Sequence, residues 1–232
     1  MYTLLRRITS PPIRSLVWCA PLILLSACGR EPHAHFPLAS GKQWDYAIST
    51  TVLDETRVAR TVVRNLGRGR DDTGNVFVQR NHPHLDRKYR VTELGIERDE
   101  ADGSRLLLPT DTEIGKSWSV DSRLAFIESR TFARQDKLRG RLFPFELTFE
   151  IVQNQATVDV PAGTFENCLQ IEGRGNTTVR TDRGNAVAHV SVAQTDWFAP
   201  GVGLVKSVRV ESSESPFLKD GSYTQELLQV DP

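Results

Sequence analysis

Two histidines and an aspartate stand at alternate positions in His82-Pro83-His84-Leu85-Asp86. On an extended segment His82, His84 and Asp86 point the same way, and imidazole with carboxylate is a donor set that suits zinc or copper. Pro83 favours an extended backbone through its own fixed φ and through the restriction it places on His82. His33, His35 and His189 are further imidazoles that could join this set. The bland alternative is a polar turn. Thiol chemistry is the second candidate. Of the three cysteines, Cys19 and Cys28 belong to the N-terminal segment, which leaves Cys168 with no partner in the chain. No activating pair stands beside Cys168, so it reads as a small buried apolar residue. Neither Gly-x-Ser-x-Gly nor His-Glu-x-x-His occurs, and Gly67-Arg68-Gly69 does not follow the strand-to-helix crossover that a phosphate cradle needs. The chain is therefore not expected to be an enzyme.

The N-terminal segment carries a different chemistry. Arg6, Arg7 and Arg14 precede an apolar run over residues 15–25. That run is shorter than the roughly 20 apolar residues a membrane span needs, and a basic start, a short apolar stretch and small residues mark a secretory signal. The run ends in Leu25-Ser26-Ala27-Cys28. This tetrapeptide resembles the lipobox of bacterial lipoproteins. The resemblance implies cleavage before Cys28, a diacylglycerol thioether on its thiol and an acylated new amine. Several acyl chains, each contributing about 0.8 kcal/mol per buried methylene, hold a protein stably on a membrane. Gly29, where an Asp would signal retention, implies the outer membrane if the host is Gram-negative. Cleavage after Ala27 without lipid, or an uncleaved anchor, are the alternatives. The expected organisation is a signal peptide over 1–27, an acylated tether over 28–35 and a single β-rich domain over 36–232. No cofactor is expected beyond the covalent lipid on Cys28.

Charge excludes one class of partner. Lys plus Arg and Asp plus Glu number 29 each, and losing Arg6, Arg7 and Arg14 leaves 26 against 29, about −3. A near-neutral body gives no electrostatic reason to expect nucleic acid.

The folded part reads as strands. Trp44, Tyr46 and Ile48 share one phase of a period-two pattern after Gly41-Lys42, and Gly115-Lys116-Ser117-Trp118 repeats that start. Trp44 and Trp118 are each expected to anchor a strand edge in the core. A strand over 57–66 is expected to end in a turn at the Gly67-Arg68-Gly69-Arg70-Asp71-Asp72 cluster, and Asp102-Gly103 marks another turn. Over 145–160 the apolar phase moves from odd to even positions near Gln153-Asn154, which signals a bulge or a new strand. Pro161-Ala162-Gly163-Thr164 is a tight connection, and further strands are expected over 187–197, 204–210 and 222–230. No stretch shows sustained helical spacing with caps. Few or no helices are expected.

The blocks Val160 to Leu169 (VPAGTFENCL) and Trp197 to Lys206 (WFAPGVGLVK), with Pro37-Leu38 leading into Gly41-Lys42-Gln43-Trp44, resemble motifs of largely uncharacterised periplasmic β-sheet proteins and lipoproteins. The resemblance implies a mostly-β fold: a curved antiparallel sheet or an incompletely closed β-barrel or roll. It carries over no catalytic residue. Pro161, Gly163, Gly201 and Gly203 then read as turn formers and Trp197 as a core plug. The expected function is a non-enzymatic, membrane-anchored binding module for a lipid or apolar envelope ligand. The alternative is a structural or assembly accessory that binds another envelope protein, with metal binding through His82 and His84 behind both.

Overall fold

The computed structural model describes residues 34–231, except 83, 84, 102, 128–143, 181–186 and 217. The chain divides into two compact units, Met1–Arg30 and Glu31–Pro232. Residues 1–33, where the signal segment and the lipobox with Cys28 are expected and which include His33, lie outside the described residues, as does His84.

Among the described residues there are twelve strands and no helix. They are β1 (Gln43–Val52), β2 (Glu55–Arg70), β3 (Val76–Asn81), β4 (Arg87–Val91), β5 (Gly95–Glu100), β6 (Gly103–Pro109), β7 (Ser117–Arg123), β8 (Pro144–Val160), β9 (Gly163–Arg180), β10 (Val187–Ala199), β11 (Gly203–Ser212) and β12 (Gly221–Asp231). Their order in the single sheet is β6-β5-β4-β3-β2-β1-β12-β11-β10-β9-β8-β7. Each strand therefore pairs antiparallel with its chain neighbour, and β1 pairs with β12, but β6 and β7 do not pair. The result is an up-and-down barrel, nearly closed, with one unsealed seam. That seam falls in mid-chain, while the first and last strands are joined. The incompletely closed β-barrel expected from the motifs is what forms.

Alternation explains the strands. In β8, Phe145, Leu147, Phe149 and Ile151 are buried and the residues between them are exposed or partly so. Beyond Ile151 the pairing with β9 slips at three places, and the buried phase moves to Ala156 and Val158. The phase change is thus a series of bulges within one strand. Bulges bend and twist a strand, and here the β8–β9 hairpin tip reaches β12, where the Ala162 amide donates to Leu227 O at 3.0 Å. The tip joins a core of Trp44, Tyr46, Val63, Cys168, Val205 and Leu227.

One expected turn is misplaced. β2 runs through Gly67, Gly69 and Arg70, which pair with β3, and the turn begins only at Asp71. A Cβ at Gly69 would sit 2.5 Å from the Phe77 ring, so the glycine is there to let a cross-strand aromatic lie against the backbone. Asp71 makes the actual turn, its Oδ1 accepting from the Thr73 and Asn75 amides at 2.9 Å each.

Candidate functional site

The barrel encloses a cavity of about 1340 Å³. Its apolar wall includes Leu107, Trp118, Phe149, Ile171, Phe198 and Leu204. Trp118 and Phe149 stack with centroids 5.6 Å apart. β9 offers glycines opposite the rings of β8: a Cβ at Gly173 or Gly175 would lie 2.6 Å from Phe149 or Phe145, so each ring rests on its neighbour's backbone. The cavity's exposed lining residues, such as Ser104, Ser119, Asp121 and Glu146, all fall between Leu94 and Glu146, the stretch from the β4–β5 turn to the start of β8 that flanks the seam. Lining residues from the β1–β4 and β9–β12 stretches are buried or partly buried. Among the described residues, then, the cavity opens along the seam.

Polar groups occupy two parts of this interior. The first surrounds Arg80, which is 9% exposed. Its guanidinium carbon lies 4.5 Å from the Phe36 and Trp44 ring centroids and 4.8 Å from that of Tyr89. Arg80 Nε donates to Asn65 Oδ1 at 2.7 Å, and its terminal nitrogen donates to Pro37 O at 3.0 Å. Asn65, itself fully buried, donates to Ala39 O at 2.8 Å. Burial pulls the guanidinium's pKa below its ordinary value; an arginine nonetheless remains a cation in a protein. Its charge is met by three ring faces and neutral oxygens instead of a carboxylate. His82 is hydrogen-bonded to the Tyr89 hydroxyl at 3.0 Å. Burial, then the charges of Arg80, Arg87 and Arg98, lower its pKa from 6.5 to about 4, so the imidazole is neutral at pH 7.

The second part lies on β5, β6, β10, β11 and β12. Asp196 is enclosed by the barrel wall yet borders the cavity. Burial raises its carboxyl above the usual range, against the opposing hydrogen bonds from Ser207 and Gln194 and the charges of Arg105 and Arg209. Gln194 Nε2 donates to Asp196 Oδ2 at 2.8 Å. The Tyr223 hydroxyl donates to Gln225, and burial together with the Asp196 charge pushes its pKa to about 12. Arg209 is paired with the fully buried Glu211 at 2.8 Å and also donates to Arg123 O at 2.8 Å. Glu211 in turn accepts from the amides of Ala125, Phe126 and Ile127 at 2.9–3.1 Å, which ties the chain after β7 across the barrel end. Arg98 Nε donates to Glu100 Oε1 at 2.9 Å. Arg105, on the seam strand β6, makes no hydrogen bond and no ion pair among the described residues; it only feels the charges of Arg98, Glu100, Arg209 and Asp196.

Of the residues singled out in the sequence, His82 and Trp118 line the cavity, Trp44 packs on Arg80, and the others lie apart from it. Asp86 is exposed and accepts from Gln79 Nε2 at 2.7 Å and Asn81 Nδ2 at 3.1 Å, while His82 faces the cavity. No group of three His, Cys, Asp or Glu side chains among the described residues could hold a metal ion. Trp44 is 2% exposed and donates its indole N–H to Val202 O at 2.7 Å. The Trp118 indole nitrogen is buried without a hydrogen-bond partner among the described residues. Pro161 lies in the β8–β9 turn and Gly163 (φ 129°) opens β9; Gly201 (φ 71°) stands between β10 and β11, and Gly203 (φ 98°) is the first residue of β11. Trp197 is partly buried against the core at the hairpin tip. Cys168 is fully buried, and burial pushes its thiol up to about 11.

Reading the sequence for motifs passed over Arg80, Arg105, Asp196 and Arg209. A signal was present: each is a charged residue in the inward phase of its strand. Val78 precedes Arg80, Leu107 follows Arg105, and Val192-x-Gln194-x-Asp196-x-Phe198 places a carboxyl between apolar neighbours.

The fold and its interior define a class, the open antiparallel barrel with a lined cavity. A family model described as DUF3108-like matches residues 101–215, from just before β6 to just after β11. Two solved structures are similar to the chain. One is a candidate lipoprotein from Parabacteroides distasonis, with a TM-score of 0.43 and 13% identity, covering 85% of this chain and 98% of that one. The other is a candidate exported protein with a YmcC-like fold from Bacteroides fragilis, with a TM-score of 0.42, 15% identity and the same two coverages of 85% and 98%. No curated protein matches the chain significantly.

Proposed function

We propose that this protein is an outer-membrane lipoprotein, anchored through Cys28 on the periplasmic face, that acts without catalysis as a binding module for a lipid or other apolar envelope molecule. The observation that carries the reading is the cavity. At about 1340 Å³ it exceeds the roughly 300–1,000 Å³ of ordinary small-molecule sites. It also has an aromatic and aliphatic wall and an opening along a seam that no strand among the described residues fills. Sealing β6 to β7 would satisfy more backbone groups, so the open seam is best understood as an entry. The compartment rests on the Leu25-Ser26-Ala27-Cys28 segment and on Gly29. The accessory reading calls for an apolar outer face. On β2 the exposed Val58, Val62 and Leu66 alternate with Arg60 and Arg64, which is a mixed surface.

Native mass spectrometry of the full chain, extracted from membranes in mild detergent, tests this. The expected spectrum shows a fixed mass added at Cys28, which survives activation, and a second, dissociable mass from the cavity. Leu107→Trp, which fills the lumen, is expected to abolish only the second. A bare cavity in the native chain would turn attention to a protein partner.

A further inference from the structure

The charged groups at the seam end of the cavity are not equally provided for. Arg98 is bound to Glu100, Arg209 to Glu211, and Asp196 receives hydrogen bonds from Gln194 and Ser207. Arg105 stands among them with no bonded partner among the described residues, and Arg98 and Arg209 are close enough to repel it. The two carboxylates near it already hold donors. A partly buried guanidinium with no bonded partner among the described residues keeps its donors available to an acid that enters the cavity. Its place is equally telling. β6 is a seam strand, so Arg105 sits where a ligand enters, and Leu107, Trp118 and Phe149 line the same cavity.

We propose that the cavity takes an amphiphile with one acidic group, carboxylate or phosphate, which pairs with Arg105 at the seam while the apolar chain runs along Leu107, Trp118 and Phe149. This rests on the reading of the cavity as a lipid site. A planar guanidinium offers a bidentate fork to either acid. Head at the mouth and chain within is also the orientation that removes least polar surface from water.

Photolabelling tests it. Membranes bearing the full chain are exposed to a diazirine derivative of palmitic acid or to the methyl ester of the same probe, and labelled peptides are mapped by mass spectrometry. The acid is expected to label cavity-wall peptides at least tenfold more than the ester. Arg105→Gln is expected to bring the acid down to the level of the ester, leave ester labelling unchanged and leave the thermal melt in place, while Arg105→Lys restores part of the preference. Competition by unlabelled palmitate against lysophosphatidic acid tells a carboxylate head from a phosphate head. Equal labelling by acid and ester, or acid labelling indifferent to Arg105→Gln, overturns the proposal and leaves the lipid site standing. No labelling of the cavity wall by either probe overturns both.

Discussion

Arg80 and Arg105 line the same cavity and are held in opposite ways. Arg80 is wrapped by Phe36, Trp44 and Tyr89 and hydrogen-bonded to Asn65 and Pro37, so its charge is spent within the fold. Arg105 has charged neighbours and, among the described residues, no bonded partner. The Arg80 region joins β1, β3 and β4 to the chain before β1; the Arg105 region flanks the seam. A cation held by three rings and two hydrogen bonds stabilises one structure. A cation with idle donors beside an opening is available to something else.

The comparison can be broken most sharply at Trp44. Its indole covers Arg80 and donates to Val202 O, so Trp44→Ala is expected to cost about 3–5 kcal/mol and lower Tm by about 10 °C or more. Trp118 sits on the seam side with an unpaired indole N–H. Trp118→Phe removes a buried donor that has no acceptor and is expected to leave Tm nearly unchanged, whereas Trp44→Phe lowers it. Equal losses from the two Phe variants would show that the two tryptophans are not held differently.

The arginines themselves come next. Arg80→Met strips the three rings of their cation and leaves Asn65 Oδ1 without a donor, for an expected loss of about 2–3 kcal/mol in chemical denaturation. Asn65→Ala should cost less in that background than in the native chain, because the two side chains share one hydrogen bond. Arg105→Met is expected to stay within about 0.5 kcal/mol of the native chain, or to stabilise it, since no partner is orphaned. A large loss at Arg105 would mean that it is as structural as Arg80.

Two pH dependences sharpen the picture with smaller effects. Asp196 has its pKa raised in the folded chain, so the folded state holds that proton more tightly than the unfolded state. The associated stability is present at low pH and is lost as pH rises through the folded pKa; Asp196→Asn should flatten this part of a Tm-against-pH curve. His82 behaves in the reverse sense. Its pKa falls from 6.5 to about 4, so its contribution is present above 6.5 and is lost as pH falls toward 4. His82→Gln should remove that slope. An unchanged curve would place the titration elsewhere.

Much of the architecture was legible. The alternation in 145–151 and the phase change after it mark the inward face of β8 and its bulges, because side-chain direction in a strand is a property of neighbouring residues. The paired starts at Gly41-Lys42 and Gly115-Lys116 open β1 and β7, with Gly41 and Gly115 at φ 86° and 88°. The Gly67 to Asp72 cluster misled because glycine serves turns and close strand packing alike, and only the Phe77 ring across the ladder tells which. The cavity groups were less legible. A histidine pair at alternate positions draws attention as a motif, whereas Arg105 and Asp196 are single residues 91 positions apart that meet only when the sheet curls.

The amino-acid sequence by itself determined the strands, their inward faces and most of their turns, since each depends on residues a few positions apart. Tertiary structure alone decided that β1 closes on β12, that the gap falls between β6 and β7, and that one interior arginine is satisfied while the other is not. These are outcomes of register and curvature across the whole sheet. Whether a charge is paired depends on what strands distant in the chain bring beside it.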